Sequence, residues 1–295
     1  MDIINQGVIK VSTKMNINWY PGHMKKTKES IEKNLSLVDV VFELLDARIP
    51  YSSQNPIIDS IVQDKPRVVI LNKSDLADNN ANNLWQNHFT NRGIPSILFD
   101  SLSGKGVDRI LKIASDVTKK KRESYKDRGV INRPVRAIII GIPNVGKSTL
   151  INTLSGRKGT RTGNKPGITK ATQWIKIKGS LELLDTPGIL WPKFEEEIVG
   201  LNLAFTGAIK DEILDTETLA LKLIDVLIDI APELLKDRYS IELQDLSPLE
   251  VMESIGNRRG CIIKGGEIDY TKTSNIILDE FRKGIIGNIT LELPK

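Results

Sequence analysis

The chain has 295 residues, of which 40% are hydrophobic and 27% charged, with a formal net charge of +5; this is an ordinary balance for a globular chain long enough to bury two cores. No apolar run approaches the roughly 20 residues a membrane span needs, and no signal-peptide pattern is visible. The single cysteine, Cys261, excludes an internal disulfide framework and a multi-cysteine metal site, so a cytoplasmic location is expected. Charge is uneven along the chain. Residues 200–295 carry 11 Lys+Arg against 17 Asp+Glu, while the first 199 carry 31 against 20. A basic first part suits a polyanion such as RNA, although a solvated surface explains the same balance.

In chain order, residues 1–14 read as a dispensable extension, with Met15 an alternative start. The aromatic–turn segment WYPGHM (19–24) leads into a basic helix from Lys25 to about Leu35. Three apolar runs read as buried parallel strands: Val38 to Leu45, Arg67 to Leu71 and Ser96 to Phe99. Asn83 to Asn91 and Val107 to Lys121 have helical spacing. Lys119 to Arg128 (KKKRESYKDR) reads as a charged hinge, a solvated helix end plus linker. Strands follow at Val135 to Ile140 and Leu181 to Leu184, with a helix opening near Lys147. Alternating strands and helices imply an α/β domain with a mainly parallel sheet covered on both faces. Beyond Glu195 the spacing becomes helical at Ile198 to Ile209, Thr216 to Ile230, Pro248 to Ile255 and Ser274 to Lys283. The expected organisation is an extension over 1–14, a nucleotide domain over 15–193 and a smaller helical domain over 194–295.

The segment from Gly141 to Ser148, GIPNVGKS, fits G-x-x-x-x-G-K-[ST] between a strand and a helix. Such a loop turns backbone N–H groups, here around Asn144, Val145, Gly146 and Lys147, toward phosphates, and the helix N-terminus adds its positive dipole end. Lys147 supplies a cation for the β and γ oxygens, Ser148 a hydroxyl for Mg²⁺, and Thr149 the next helical amide. Asp185-Thr-Pro-Gly188 ends the strand Leu181–Leu184, 38 residues after Lys147. Asp185 is a candidate Mg²⁺ ligand and Gly188 a candidate N–H donor to the γ-phosphate. Between them, Thr169 in PGIT (166–169) is the candidate switch threonine, closing on Mg²⁺ and the γ-phosphate.

The base site precedes the phosphate site. Asn72-Lys-Ser-Asp75 follows the strand RVVIL, and Asp75 can accept from both N1–H and the exocyclic amine of guanine, a donor pair that adenine lacks. Asn72 can pair with N7 and brace neighbouring loops, while the stem of Lys73 covers the ring. Ser101 and Leu102, after the next strand, support the base. The motifs therefore run base, serine loop, phosphate loop, switch threonine, DTPG. This is the order of a circularly permuted P-loop GTPase, which a parallel sheet tolerates because the site depends on strand ends in space.

These residues, together with WYPGHM (19–24), DARIP (46–50) and DTPGIL (185–190), resemble the YlqF/RbgA family of ribosome-assembly GTPases from about Asn18 onward. The resemblance implies a GTP hydrolase that binds the large ribosomal subunit and its rRNA late in assembly and leaves after hydrolysis. It also implies a helical C-terminal domain similar to RNA-binding antiterminator modules. Where Ras-type enzymes carry a water-positioning glutamine, this chain has Ile189. The family's hydrolysis is attributed to a histidine matched here by His23, which otherwise caps or braces its turn. Asn144 resembles the asparagine that coordinates K⁺ in potassium-activated GTPases, or else it braces the loop. Basic residues for RNA are Lys25, Lys26, Lys28 and Lys119 to Arg122, or in the C-terminal domain Arg258, Arg259, Lys264, Lys272, Arg282 and Lys283. The expected state is a monomer using Mg²⁺. The alternatives are a nucleotide-gated RNA-binding module with incidental hydrolysis and a GTPase of another RNA-processing pathway.

Overall fold

The computed structural model describes residues 24–62, 65–130, 133–156, 173–177, 181–191 and 194–295. Among them the chain forms two compact units, one of residues 24–203, 207–209 and 288–295 and the other of residues 204–206 and 210–287. The first unit thus takes in the helix start beyond 193 and the last eight residues, where the sequence reading drew a single boundary at 193/194.

The first unit contains α1 (Met24–Leu35), β1 (Val40–Asp46), α2 (Pro56–Val62), β2 (Arg67–Asn72), α3 (Asn79–Asn91), β3 (Ser96–Phe99) and α4 (Val107–Val117). There follow α5 (Lys119–Asp127), β4 (Val135–Gly141), α6 (Lys147–Ser155), β5 (Gln173–Ile177), β6 (Leu181–Asp185) and most of α7 (Glu197–Phe205). The strands form a six-stranded sheet in the order β3-β2-β1-β4-β6-β5. All pairings are parallel except β5 with β6. The continuous apolar character of β1 has a direct cause, since every one of its residues is buried. Ile31 of α1 and Ile58, Ile61 and Val62 of α2 pack with Val41, Ile138, Ile140 and Leu184 of the sheet. Trp85 and Phe89 of α3 pack with Leu45, Val69 and Leu71.

Two local differences from the sequence reading have physical reasons. The helix expected to run from Val107 to Lys121 stops at Thr118, whose hydroxyl donates back to the Ala114 carbonyl at 2.7 Å. The charged stretch expected as a hinge is the helix α5, with no buried residue. It runs over the surface on helix-forming Lys, Arg and Glu. The strand β5 escaped notice because QWIKI alternates, with Trp174 and Lys176 exposed and Ile175 and Ile177 buried, as an antiparallel edge requires.

The second unit is helical. After a 3₁₀ turn at Asp211–Ile213 come α8 (Thr216–Ile230), α9 (Pro232–Tyr239), α10 (Pro248–Arg258) and α11 (Tyr270–Arg282). The apolar side of α8, including Leu219, Leu223, Ile224 and Leu227, is buried against the other three. Its helix starts are specified locally: Asp215 accepts from the amides of Glu217 and Thr218, and Ser247 and Glu250 form a reciprocal capping box ahead of α10. No helix among the described residues is long and apolar enough to cross a membrane.

Candidate functional site

Because β1, β2, β3, β4 and β6 are mutually parallel, their C-terminal ends lie along one edge of the sheet. That edge carries the segments after Asp46, Asn72, Phe99, Gly141 and Asp185. The chain leaves β1 toward β2 and β3 on one side and returns as β4 on the other. A crevice at such a reversal is where open α/β sheets bind ligands.

The phosphate loop joins Gly141, the last residue of β4, to Lys147, the first of α6. Asn144 and Gly146 adopt positive φ angles of 56° and 101°, alternating the backbone so that successive N–H groups line one concave face. A Cβ on Gly146 would lie 2.3 Å from Nδ2 of Asn72, and one on Gly141 would lie 2.6 Å from the carbonyl oxygen of Leu44. Close approach therefore requires both glycines, and at Gly146 the positive φ requires one as well. The Lys147 amine is buried and donates to the carbonyls of Gly141 and Ile142 at 2.8 and 2.7 Å. Burial pushes it down to about 8, against the opposing attraction of the Asp185 carboxylate. Ser148 and Thr149 occupy the first turn of α6, both half-buried. Val145 is buried beneath the loop.

DTPG closes on this loop. Asp185 is buried at the end of β6, and Thr186 donates its hydroxyl to the carbonyl of Ile139 at 2.6 Å. A Cβ on Gly188 would stand 2.9 Å from Cα and N of Pro143 and 3.0 Å from Nζ of Lys147, so the glycine backbone lies directly against the phosphate loop. The amide of Ile189 donates to the Gly141 carbonyl at 3.1 Å, while its side chain is buried in the apolar cluster of α1, α2 and β4. A side chain sunk into that core has no part in orienting water.

On the base side, Asn72 joins three loops. Its Nδ2 donates to the carbonyl of Val145 at 2.7 Å, and its Oδ1 accepts from the hydroxyl of Ser101 at 2.6 Å and the Ser101 amide at 3.2 Å. Of the two roles expected for Asn72, these bonds perform the bracing one. Thr153 of α6 donates to the Ser101 carbonyl at 2.6 Å, and Asp100 accepts from the amides of Leu102 and Ser103, shaping the serine loop. Leu102 is 83% exposed at its tip. Asp75 is an exposed carboxylate; partial desolvation between the loops, and then the Asp100 charge, raise it above its ordinary value.

Lys73, at φ 58°, donates to Oδ2 of Asp46 at 2.9 Å. Asp46 in turn holds the fully buried Arg48 through Nε at 2.9 Å and Nη2 at 2.8 Å, a two-pronged pair. Burial works against ionisation of Asp46, yet Arg48 and Lys73 hold its carboxyl well below the usual carboxylate range. The DARIP segment therefore orients the lysine of NKSD. The sequence reading quoted DARIP as a family mark without a role, since the link to Lys73 exists only once β1 and β2 pair, with Asp46 opposite Asn72.

The comparisons with known proteins follow this geometry. A family model described as a 50S ribosome-binding GTPase matches residues 136–258. The chain is 46% identical to ribosome biogenesis GTPase A of Bacillus licheniformis over 281 residues, covering 95% of this chain and 99% of that protein. This chain belongs to the ribosome biogenesis GTPase A family. Thermotoga maritima has a member 30% identical to it, with 95% of each chain covered. The solved GNP-bound YlqF from T. maritima has a TM-score of 0.64 at 27% identity, covering 92% of this chain and 99% of that one, and a GDP-bound YlqF structure scores 0.65 at 26% identity, covering 90% and 99%. As a family member the chain is a GTPase of ribosome biogenesis, with the permuted α/β fold and a helical C-terminal region.

Within this family site, Asn72, Lys73, Asp75, Ser101, Leu102, Asn144 to Thr149, Asp185 and Gly188 share the sheet edge in one compact unit. Asn144 is exposed and its Nδ2 donates to the Gly207 carbonyl at 2.6 Å. A carbonyl only accepts, so this contact sets the amide's orientation and directs Oδ1 elsewhere. His23 and Thr169 lie outside the described residues, as do 1–14 and PGIT.

Proposed function

We propose that the chain is a cytoplasmic, monomeric GTP-driven switch of late large-subunit assembly, binding the particle and its rRNA in the GTP state and leaving after hydrolysis. The observation that carries this reading is Asn72, which ties the base motif, the serine loop and the phosphate loop into one guanine-nucleotide site. Asp75 accepts from N1–H and the 2-amine of guanine, with the Lys73 stem over the ring. Backbone amides of Asn144 to Thr149 take the phosphates, and Lys147 turns from its own loop carbonyls to the β and γ oxygens. The first-turn hydroxyl of Ser148 and the buried carboxylate of Asp185 are hard oxygen donors suited to Mg²⁺, joined in this reading by Thr169. When bound, that ion neutralises charge across the β and γ phosphates.

With Ile189 committed to the core, His23 is the residue assigned to orient the attacking water. Gly188 meets the γ-phosphate and passes its presence into the segment leading to α7. The carbonyl oxygen of Asn144 is assigned to K⁺, which would offset developing negative charge. For rRNA, α5 offers Lys119, Lys120, Arg122 and Lys126 without a buried residue. In the helical unit, by contrast, Arg259 pairs with Glu280, Arg282 with Asp211 and Lys283 with Asp279.

Cosedimentation with ribosomal subunits tests the reading, run in GDP and in a non-hydrolysable GTP analogue. Large-subunit binding confined to the analogue is expected; equal binding in both states rejects the switch. Subunit-stimulated turnover that is unchanged in His23→Ala removes His23 from the chemistry.

A further inference from the structure

The last eight residues return to the nucleotide-binding unit and run across the back of the base site. The amide of Ile289 donates to the carbonyl of Leu76, directly after NKSD, at 3.0 Å, and that of Leu291 to the carbonyl of Arg48 at 2.8 Å. Thr290 accepts from the Asp78 amide at 3.1 Å, and the Trp85 indole donates to the Glu292 carbonyl at 3.0 Å. The segment is thus stitched by four successive residues to the loops after β1 and β2 and to α3. Ile289 is buried beneath it.

Glu292 closes the segment. Its Oε1 accepts from the Ser52 amide at 2.7 Å, and its Oε2 accepts from the Ser52 hydroxyl at 2.6 Å and from Nδ2 of Asn202 in α7 at 3.0 Å. The adjacent Ser53 hydroxyl accepts from the Asp46 amide at 3.1 Å. Two routes therefore converge on Asp46, one through Leu291 and Arg48, the other through Glu292, Ser52 and Ser53. Asp46 holds Lys73. Asn202 adds a connection to the helix that the chain enters after DTPG.

We propose that residues 288–295 clamp the guanine-recognition loop and that Glu292 is a positioning residue for base discrimination, acting through Ser52, Asp46 and Lys73. A partly buried carboxylate that accepts three hydrogen bonds at the meeting point of three segments restrains them more firmly than a neutral group would. The inference rests on the assignment of Asp75 to the base, because the clamp matters only if NKSD reads guanine.

The test is competitive binding of GTP and ITP to the full chain. Inosine lacks the exocyclic amine that Asp75 accepts, so the GTP/ITP affinity ratio reports the placement of the loop. Glu292→Ala should lower that ratio by about tenfold, the scale of a lost charged hydrogen bond. Glu292→Gln should lower it in the same direction but by less, because its one amide oxygen can replace only part of the three accepted bonds. A fold defect would reduce the binding-competent fraction for both nucleotides and leave the ratio intact. If Glu292→Ala does not fold, Leu291→Pro, which removes the amide bonded to Arg48 and leaves Glu292 in place, should lower the ratio in the same direction. An unchanged ratio in the folded variant overturns the clamp. Asp75→Asn is the control: a swap of preference toward XTP upholds the base assignment whatever Glu292 does, and its absence refutes that assignment separately.

Discussion

Around the phosphate loop the groups that would meet the nucleotide are mostly backbone amides, held in place by glycines and by one helix start. Around the base they are side chains, and several are held by other side chains: Lys73 by Asp46, Asp46 by Arg48, Asn72 by Ser101. The phosphate half is mostly local in sequence, spanning β4, the loop and α6, with Asp185 and Gly188 joining from the end of β6. The base half draws on the ends of β1, β2 and β3 and on the C-terminal segment. A backbone-built site tolerates change at most side chains and fails at a glycine. A side-chain-built site fails at its buried charges. Since Asn72 Nδ2 also reaches the Val145 carbonyl, the halves are coupled at one amide.

The largest effect should come from the buried charges of the base half. Asp46→Ala removes the carboxylate that pairs with both Arg48, only 1% exposed, and Lys73 and should cost about 3–5 kcal/mol of stability, read by denaturant unfolding. A loss below about 1 kcal/mol would mean that the Asp46 carboxylate does not hold the base half together. On the phosphate side, Lys147→Ala removes the loop's cation together with its bonds to the Gly141 and Ile142 carbonyls. Turnover should fall by roughly 10²–10³-fold, measured as phosphate release under single-turnover conditions.

Gly146→Ala tests the coupling itself. Its Cβ would meet Asn72 Nδ2 at 2.3 Å in a backbone conformation unfavourable to alanine, at a cost of about 1–3 kcal/mol. GTP affinity should drop with it. If the variant binds GTP normally, the two halves are not joined through Asn72.

The smallest effect concerns pH. Burial pushes Glu292 up to about 7, with hydrogen bonds from Ser52 and Asn202 opposing. The acidic neighbours Glu195 and Glu196 face the same Tyr51, whose phenol bonds Glu196, and the Lys295 amine lies over the Tyr51 ring. Between the unfolded carboxyl value near 4.5 and about 7 the folded chain binds more protons than the unfolded one. This group's contribution to stability therefore falls as pH rises through that window and levels off above it. Glu292→Gln should flatten that part of the stability profile; an unaltered slope would place the titration elsewhere.

Much of the nucleotide site was legible because its chemistry is written in contiguous residues. GIPNVGKS, DTPG and NKSD each declare a loop through glycine, proline and turn chemistry next to an apolar strand, and β2, β3, β4 and β6 fall within a residue of their expected spans. The parallel sheet follows from strands whose two faces are both apolar. The break at Thr118, the edge strand β5 and the helical state of α5 were less legible, because each depends on what lies beside the segment as well as on its own residues.

Sequence alone determined the class of ligand, the permuted order of motifs and the alternation that builds the sheet, since each rests on local periodicity or on a motif that carries its own backbone geometry. Only the tertiary structure decided that DARIP holds Lys73, that Ile189 belongs to the core, and that the C-terminal residues return to the base site. Those outcomes depend on pairing across long separations, such as Glu292 with Ser52. Such pairing depends on where the whole sheet places strand ends rather than on any local preference of the residues involved.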